Sequence, residues 1–94
     1  MNKLEEVKEE LLERGFDVDK SILFVEPSFD DAIIGISIDG NVVYSFDKMI
    51  ECLKDTCDFD TQEATDFITY NTIPSIEKYI IKDFKMPIVV YGID

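Results

Sequence analysis

An Asp-Gly turn between two apolar runs constrains this chain more than any other feature. Residues 32–38, Ala-Ile-Ile-Gly-Ile-Ser-Ile, read as a strand, Asp39-Gly40-Asn41 as a tight turn, and Val42-Val43-Tyr44 as the returning strand. Ile34, Ile36 and Ile38 alternate with Gly35, Ser37 and Asp39, the period of two that marks a half-buried strand. The Asp-Gly pair supplies the positive φ values of a two-residue primed turn, and Asn41 tolerates the same region if the turn is one residue longer. Ser45 then caps a helix over residues 46–53, whose apolar residues Phe46, Met49, Ile50 and Leu53 recur at three-and-four spacing that Cys57 continues at its end. A two-stranded ribbon alone is marginal in water, so this helix is expected to cover the isoleucine face.

The remaining elements fit around that unit. Leu4, Val7, Leu11 and Leu12 form an apolar stripe on a first helix that Gly15 terminates, with Glu5, Glu6, Glu9, Glu10 and Glu13 on its solvated side. Residues 22–25, Ile-Leu-Phe-Val, are long enough for one strand, expected to pair with the strand that begins near Ala32. Between them Asp30 and Asp31 read as solvated turn residues, with divalent-cation binding the less favoured alternative. Residues 75–81 read as a short final helix, and residues 86–91 as a terminal strand beside the hairpin, with Pro87 at its start, where a missing donor is tolerated. The expectation is an α+β domain spanning residues 1–94. Its small antiparallel sheet of three to four strands, with the central β-hairpin at 32–45, packs against three to four helices.

Twenty-one acidic residues against nine basic ones give a net charge of −12. Such a field repels phosphate backbones and anionic lipid, which argues against direct nucleic-acid or membrane-surface binding and for a basic partner. No apolar run approaches the roughly 20 residues of a membrane span, and the acidic N-terminus does not read as a secretion signal, so a cytoplasmic protein is expected. Cys52 and Cys57 lie five positions apart, pointing in different directions, which suits neither a disulfide nor paired zinc ligands. Both read as reduced thiols, with Cys57 packed.

Between Lys54 and Lys78 the chain carries Asp55, Asp58, Asp60, Glu63, Asp66 and Glu77 with no basic residue. Asp58-Phe59-Asp60 invites comparison with a calcium loop, but the required sixth-position glycine is replaced by Glu63 and the twelfth-position glutamate by Thr69. Asp60 and Glu63 instead read as a helix cap, with negative charge in the first turn suiting the helix dipole. Ala64, Phe67, Ile68 and Asn71 mark that helix's inner face, and Pro74 ends or kinks it.

With these residues placed, the chain resembles a group of short, uncharacterised proteins of Firmicutes and their phages and mobile elements. The resemblance runs from Ala32-Ile33-Ile34-Gly35 through residues 39–44, 47–50, 61–64 and 67–68 to Tyr70-Asn71-Thr72-Ile73 and the closing residues 87–90. In that group the Tyr-Asn-Thr-Ile motif continues with a basic residue and Leu-Pro-Tyr, where this chain has Pro74-Ser75-Ile76. The resemblance implies a phage or mobile-element neighbourhood and no particular activity. Tyr70 and Asn71 are singled out by both pattern and resemblance; their structural reading is a covered core edge and a loop hydrogen bond, their functional reading a partner contact.

With no histidine and no glycine-rich phosphate loop, the pattern favours a non-enzymatic domain without cofactor or metal. The preferred reading is an acidic protein-binding module, an inhibitor that occupies a basic, nucleic-acid-binding surface of a host protein such as a defence nuclease. Asp55, Asp58, Asp60, Glu63, Asp66, Tyr70 and Asn71 are its candidate partner-binding residues. The alternative is a small accessory or assembly protein that dimerises or docks through an apolar patch or the edge strand at 88–91, with acidity serving solubility.

Overall fold

A computed structural model describes residues 3–24, 29–78 and 84–92, and for residues 77 and 78 the backbone alone. Val25, the last residue of the strand expected at 22–25, and residues 79–81 of the expected final helix lie outside the described residues. Helix α1 (Lys3–Glu13) ends as Gly15 turns to φ 83°. There the Phe16 N–H reaches the Leu11 carbonyl at 2.9 Å and the Gly15 N–H that of Leu12 at 3.1 Å, a closure that satisfies carbonyls a helix end leaves open. Strands β1 (Ile33–Ile36) and β2 (Val42–Ser45) form the hairpin, followed by α2 (Phe46–Thr56), α3 (Thr61–Phe67), a π turn (Ile68–Thr72), α4 (Ile73–Lys78) and strand β3 (Ile88–Val90).

The fold is α+β, with a three-stranded mixed sheet in the order β1-β2-β3. β1 and β2 are antiparallel, whereas β3 pairs parallel to β2 through Val43↔Ile88, Tyr44↔Val89 and Ser45↔Val90. The all-antiparallel expectation is thus corrected. The helical connection between β2 and β3 is long enough to return the chain in the same direction, as a parallel pair requires.

The hairpin differs from its expected register. A bulge falls between Ile33 and Gly35, so the core-facing residues of β1 are Ile33 and Ile36, three apart. Ile34 is 42% exposed and Ile38, carried into the turn, 96%. The isoleucine face is therefore not what α2 covers; α2 lies against β2, α3 and a short 3-10 turn at Asp30–Ala32. The turn is the longer kind: the Gly40 N–H donates to the Ser37 carbonyl at 3.0 Å, the Ser37 N–H to the Asn41 carbonyl at 2.8 Å, and only Gly40 takes a positive φ.

Residues 22–24 form no strand beside β1. Ser21 instead makes a parallel bridge to Lys85, with the Ile22 N–H on the Lys85 carbonyl at 2.8 Å. Leu23 and Phe24 turn toward the core, where Phe24 stands edge-on to Phe29 and its N–H donates to the Tyr44 hydroxyl at 3.1 Å. Tyr44, Phe29, Leu11, Met49, Leu53, Ile68 and Val42 are the largest fully buried side chains, so α1, β2, α2 and the π turn share one core.

Candidate binding surface

α2 starts as expected, with the Ser45 hydroxyl accepting from the Lys48 N–H at 3.4 Å. Met49 and Leu53 are buried on its inner face, while Asp47, Glu51 and Asp55 are exposed at intervals of four residues. Cys57 closes the helix through its N–H on the Leu53 carbonyl, and its side chain is exposed, not packed as the apolar spacing suggested. One residue past the last helical turn, the chain has already left the helical path that would have carried the thiol inward.

Cys52 is half-buried, and its thiol is pushed up first by burial and then by the negative charges of Asp31, Asp55, Asp30 and Glu51. The 3-10 turn that carries Asp30 and Asp31 packs on α2, so the four carboxylates act on this thiol from two elements. Sequence reasoning had kept Asp30 and Asp31 apart from Asp55 and had not singled out Glu51 or Asp47. Their four-residue spacing along α2 was the signal.

Asp58 sits at φ 56°, a left-handed conformation that Asp tolerates better than most residues. The Asp60 carboxylate accepts from the Glu63 N–H at 2.8 Å, and the Glu63 carboxylate accepts from the Asp60 N–H at 3.2 Å. This reciprocal capping box confirms the expected start of α3. Gln62 donates to Asp66 at 2.9 Å one turn later. Asp55, Asp58, Asp60, Glu63 and Asp66 are all exposed.

α3, the π turn and α4 run on as one helix, since the residues flanking the π turn keep helical φ and ψ. Ala64, Ile68 and Thr72 are its buried positions, each four residues from the last. On a helix of ~3.6 residues per turn such spacing drifts by about 40° per step. The π turn is wider, closing with the Ile73 N–H on the Ile68 carbonyl, and it returns Thr72 to the core. Asn71 is consequently exposed rather than inward. Tyr70 is 74% exposed and does not cover the core edge. Pro74 does not end the helix; it lies within this continuous run just past the π turn, where the Ser75 hydroxyl donates to the Thr72 carbonyl at 2.5 Å.

Two further features bear on function. A groove of about 460 Å³ lies along the junction of α1 and β1, lined by Lys3, Glu6, Glu10 and Arg14 and by residues 33–36. Among the described residues no group of three or more His, Cys, Asp or Glu side chains is arranged to hold a metal ion, and no helix is long and apolar enough to cross a membrane. No protein-family model, curated protein or solved structure matches the chain.

Proposed function

We propose that this chain is a non-catalytic binding domain that docks through its acidic side onto a basic surface of another protein. The observation that carries the reading is the packing of the 3-10 turn at Asp30–Ala32 on α2, which puts Asp30 and Asp31 on the same side of the molecule as the α2 carboxylates Glu51 and Asp55, all four acting on the Cys52 thiol. On α2 itself Asp47, Glu51 and Asp55 stand at four-residue spacing, a like-charge pattern that costs about 0.2–0.5 kcal/mol per pair and is offset in part at Glu51 by Lys54 at 3.9 Å. A cationic partner reverses that penalty. Asp58, Asp60, Glu63 and Asp66 extend the exposed carboxylates onto α3, and Tyr70 and Asn71 add an aromatic ring and an amide at the π turn.

The partner surface this charge fits is one that otherwise holds nucleic acid. Asp47, Glu51 and Asp55 span ~12 Å of helix, about one charge per 6 Å, sparser than the duplex value of one per ~1.7 Å of axis. The carboxylates of the 3-10 turn and of α3 are needed to approach the density of a single strand. The resemblance to phage and mobile-element proteins gives the partner a biological setting, a host nucleic-acid-binding protein such as a defence nuclease, met in the cytoplasm. The experiment is retention of proteins from bacterial lysate on the immobilised chain at low salt, with salt-gradient elution and DNA competition. Release by moderate salt and by DNA supports the reading; retention indifferent to both overturns it.

A further inference from the structure

We propose that Asp66 and Tyr70, one turn apart on the helix that runs from α3 into the π turn, form the seat for a single arginine side chain of the basic partner. The seat lies on the acidic side and rests on the reading of that side as a docking surface. Tyr70 is 74% exposed, and its ring meets no other aromatic ring among the described residues. Tyr91, exposed to 77%, differs, because its ring centroid stands 5.7 Å from that of Phe46. An uncovered ring adds little to folding, whereas tyrosine is among the side chains that dominate binding energy once a partner covers them. Pro74 accounts for the widened helix here. In a regular helix residue 74 would donate its N–H to the Tyr70 carbonyl; proline has none and its ring crowds that carbonyl, so the run opens into the π turn, closed by the Ile73 N–H on the Ile68 carbonyl. Thr72 goes to the core, and Tyr70 and Asn71 stay outside. Single-turn insertions of this kind recur at functional sites.

Asp66 stands four residues before Tyr70, on the same face of the helix. Its Oδ1 accepts from the Gln62 side-chain amide at 2.9 Å, which orients the carboxylate and leaves Oδ2 without a partner among the described residues. No lysine or arginine occurs between Lys54 and Lys78, so the helix supplies no cation of its own to this place. Ring and carboxylate together select the cation. A lysine ammonium is a compact, strongly hydrated point charge, whereas a guanidinium is planar and more weakly hydrated. It lies flat on an aromatic face, within about 6 Å of the ring centre, while its edge hydrogen-bonds a carboxylate. Arginine thus satisfies Asp66 and Tyr70 at once. It is also the side chain of choice on surfaces that hold nucleic acid, the class of surface to which the acidic side is matched.

The test compares two capped peptides of alternating Ala and Lys, equal in charge, one with its central Lys replaced by Arg, each titrated at low salt into the ¹⁵N-labelled chain and followed by NMR. Expected are amide shifts centred on residues 66–71, binding of the arginine peptide tighter by at least about threefold, and an upfield shift of its arginine Hδ protons, the ring-current signature of a side chain lying over an aromatic face. Tyr70→Ala and Asp66→Asn should each abolish the preference, and Tyr70→Phe, which keeps the ring, should retain it. Both positions are exposed, so these variants keep the fold. Equal affinity for the two peptides, or a preference that survives Tyr70→Ala, would overturn the arginine seat and leave docking by charge standing. Binding of neither peptide would overturn both.

Discussion

Gly40 holds φ 91°, its carbonyl accepts from the Ser21 hydroxyl at 3.0 Å, and a Cβ added there would stand 2.7 Å from the Phe16 ring. Backbone strain and steric clash therefore act together at this position. Gly40→Ala is expected to cost about 2–3 kcal/mol in urea unfolding, more than conformational strain alone explains. Tyr44 offers a pH-dependent test. Its hydroxyl is pushed up to about 12, chiefly by burial, with the Phe24 N–H opposing and Asp30 assisting. In the unfolded chain the phenol ionises near its ordinary 10, so its contribution is full below that pH and is lost as pH rises toward 12. The loss is roughly 1 to 2 kcal/mol, and Tyr44→Phe should remove this alkaline step while lowering stability at neutral pH by leaving the Phe24 N–H unpaired. The cysteines divide by exposure and charge: alkylation followed by peptide mapping should find Cys57 modified well before Cys52, whose thiol is half-buried and raised.

At the scale of elements, α3 rests on the Asp60–Glu63 box. Asp60→Ala should lower stability by about 0.5–2 kcal/mol, and Asp60→Asn by far less, because Asn accepts the same N–H. Chemical denaturation of the two variants distinguishes a cap from a merely charged site. That cap was legible because capping is local, as were the hairpin and the Ser45 start of α2. Two other features left little trace because each is a phase shift of a single residue. The bulge at Ile33/Gly35 moves Ile34 from the core face to the surface, and the π turn exchanges Asn71 for Thr72, in both cases with no change of composition. Pro74, two residues beyond the π turn, was the available hint. The Ile22–Phe24 run misled for a different reason: its apolar residues serve the core as a coil, while the backbone pairing nearby goes to Lys85, more than sixty residues on.

Across the whole molecule, the acidic excess was plain in the sequence, whereas the grouping of carboxylates was not. Asp30 and Asp31 come beside Glu51 and Asp55 only because the 3-10 turn packs on α2, a tertiary contact that no local pattern encodes. Neutralising this group relieves repulsion but also removes the exposed Glu51–Lys54 pair at 3.9 Å, so the Asp31→Asn/Glu51→Gln/Asp55→Asn variant should stay within about 0.5 kcal/mol of the parent chain's stability. It thus isolates binding from folding. The most direct measurement is side-by-side retention of lysate proteins on parent and variant chains at low salt, read by quantitative mass spectrometry. The account predicts that basic, DNA-competed proteins held by the parent are lost from the variant by at least about tenfold, as expected when several charge contacts are removed. Equal retention by the two chains would contradict it and leave the acidity without a role in recognition.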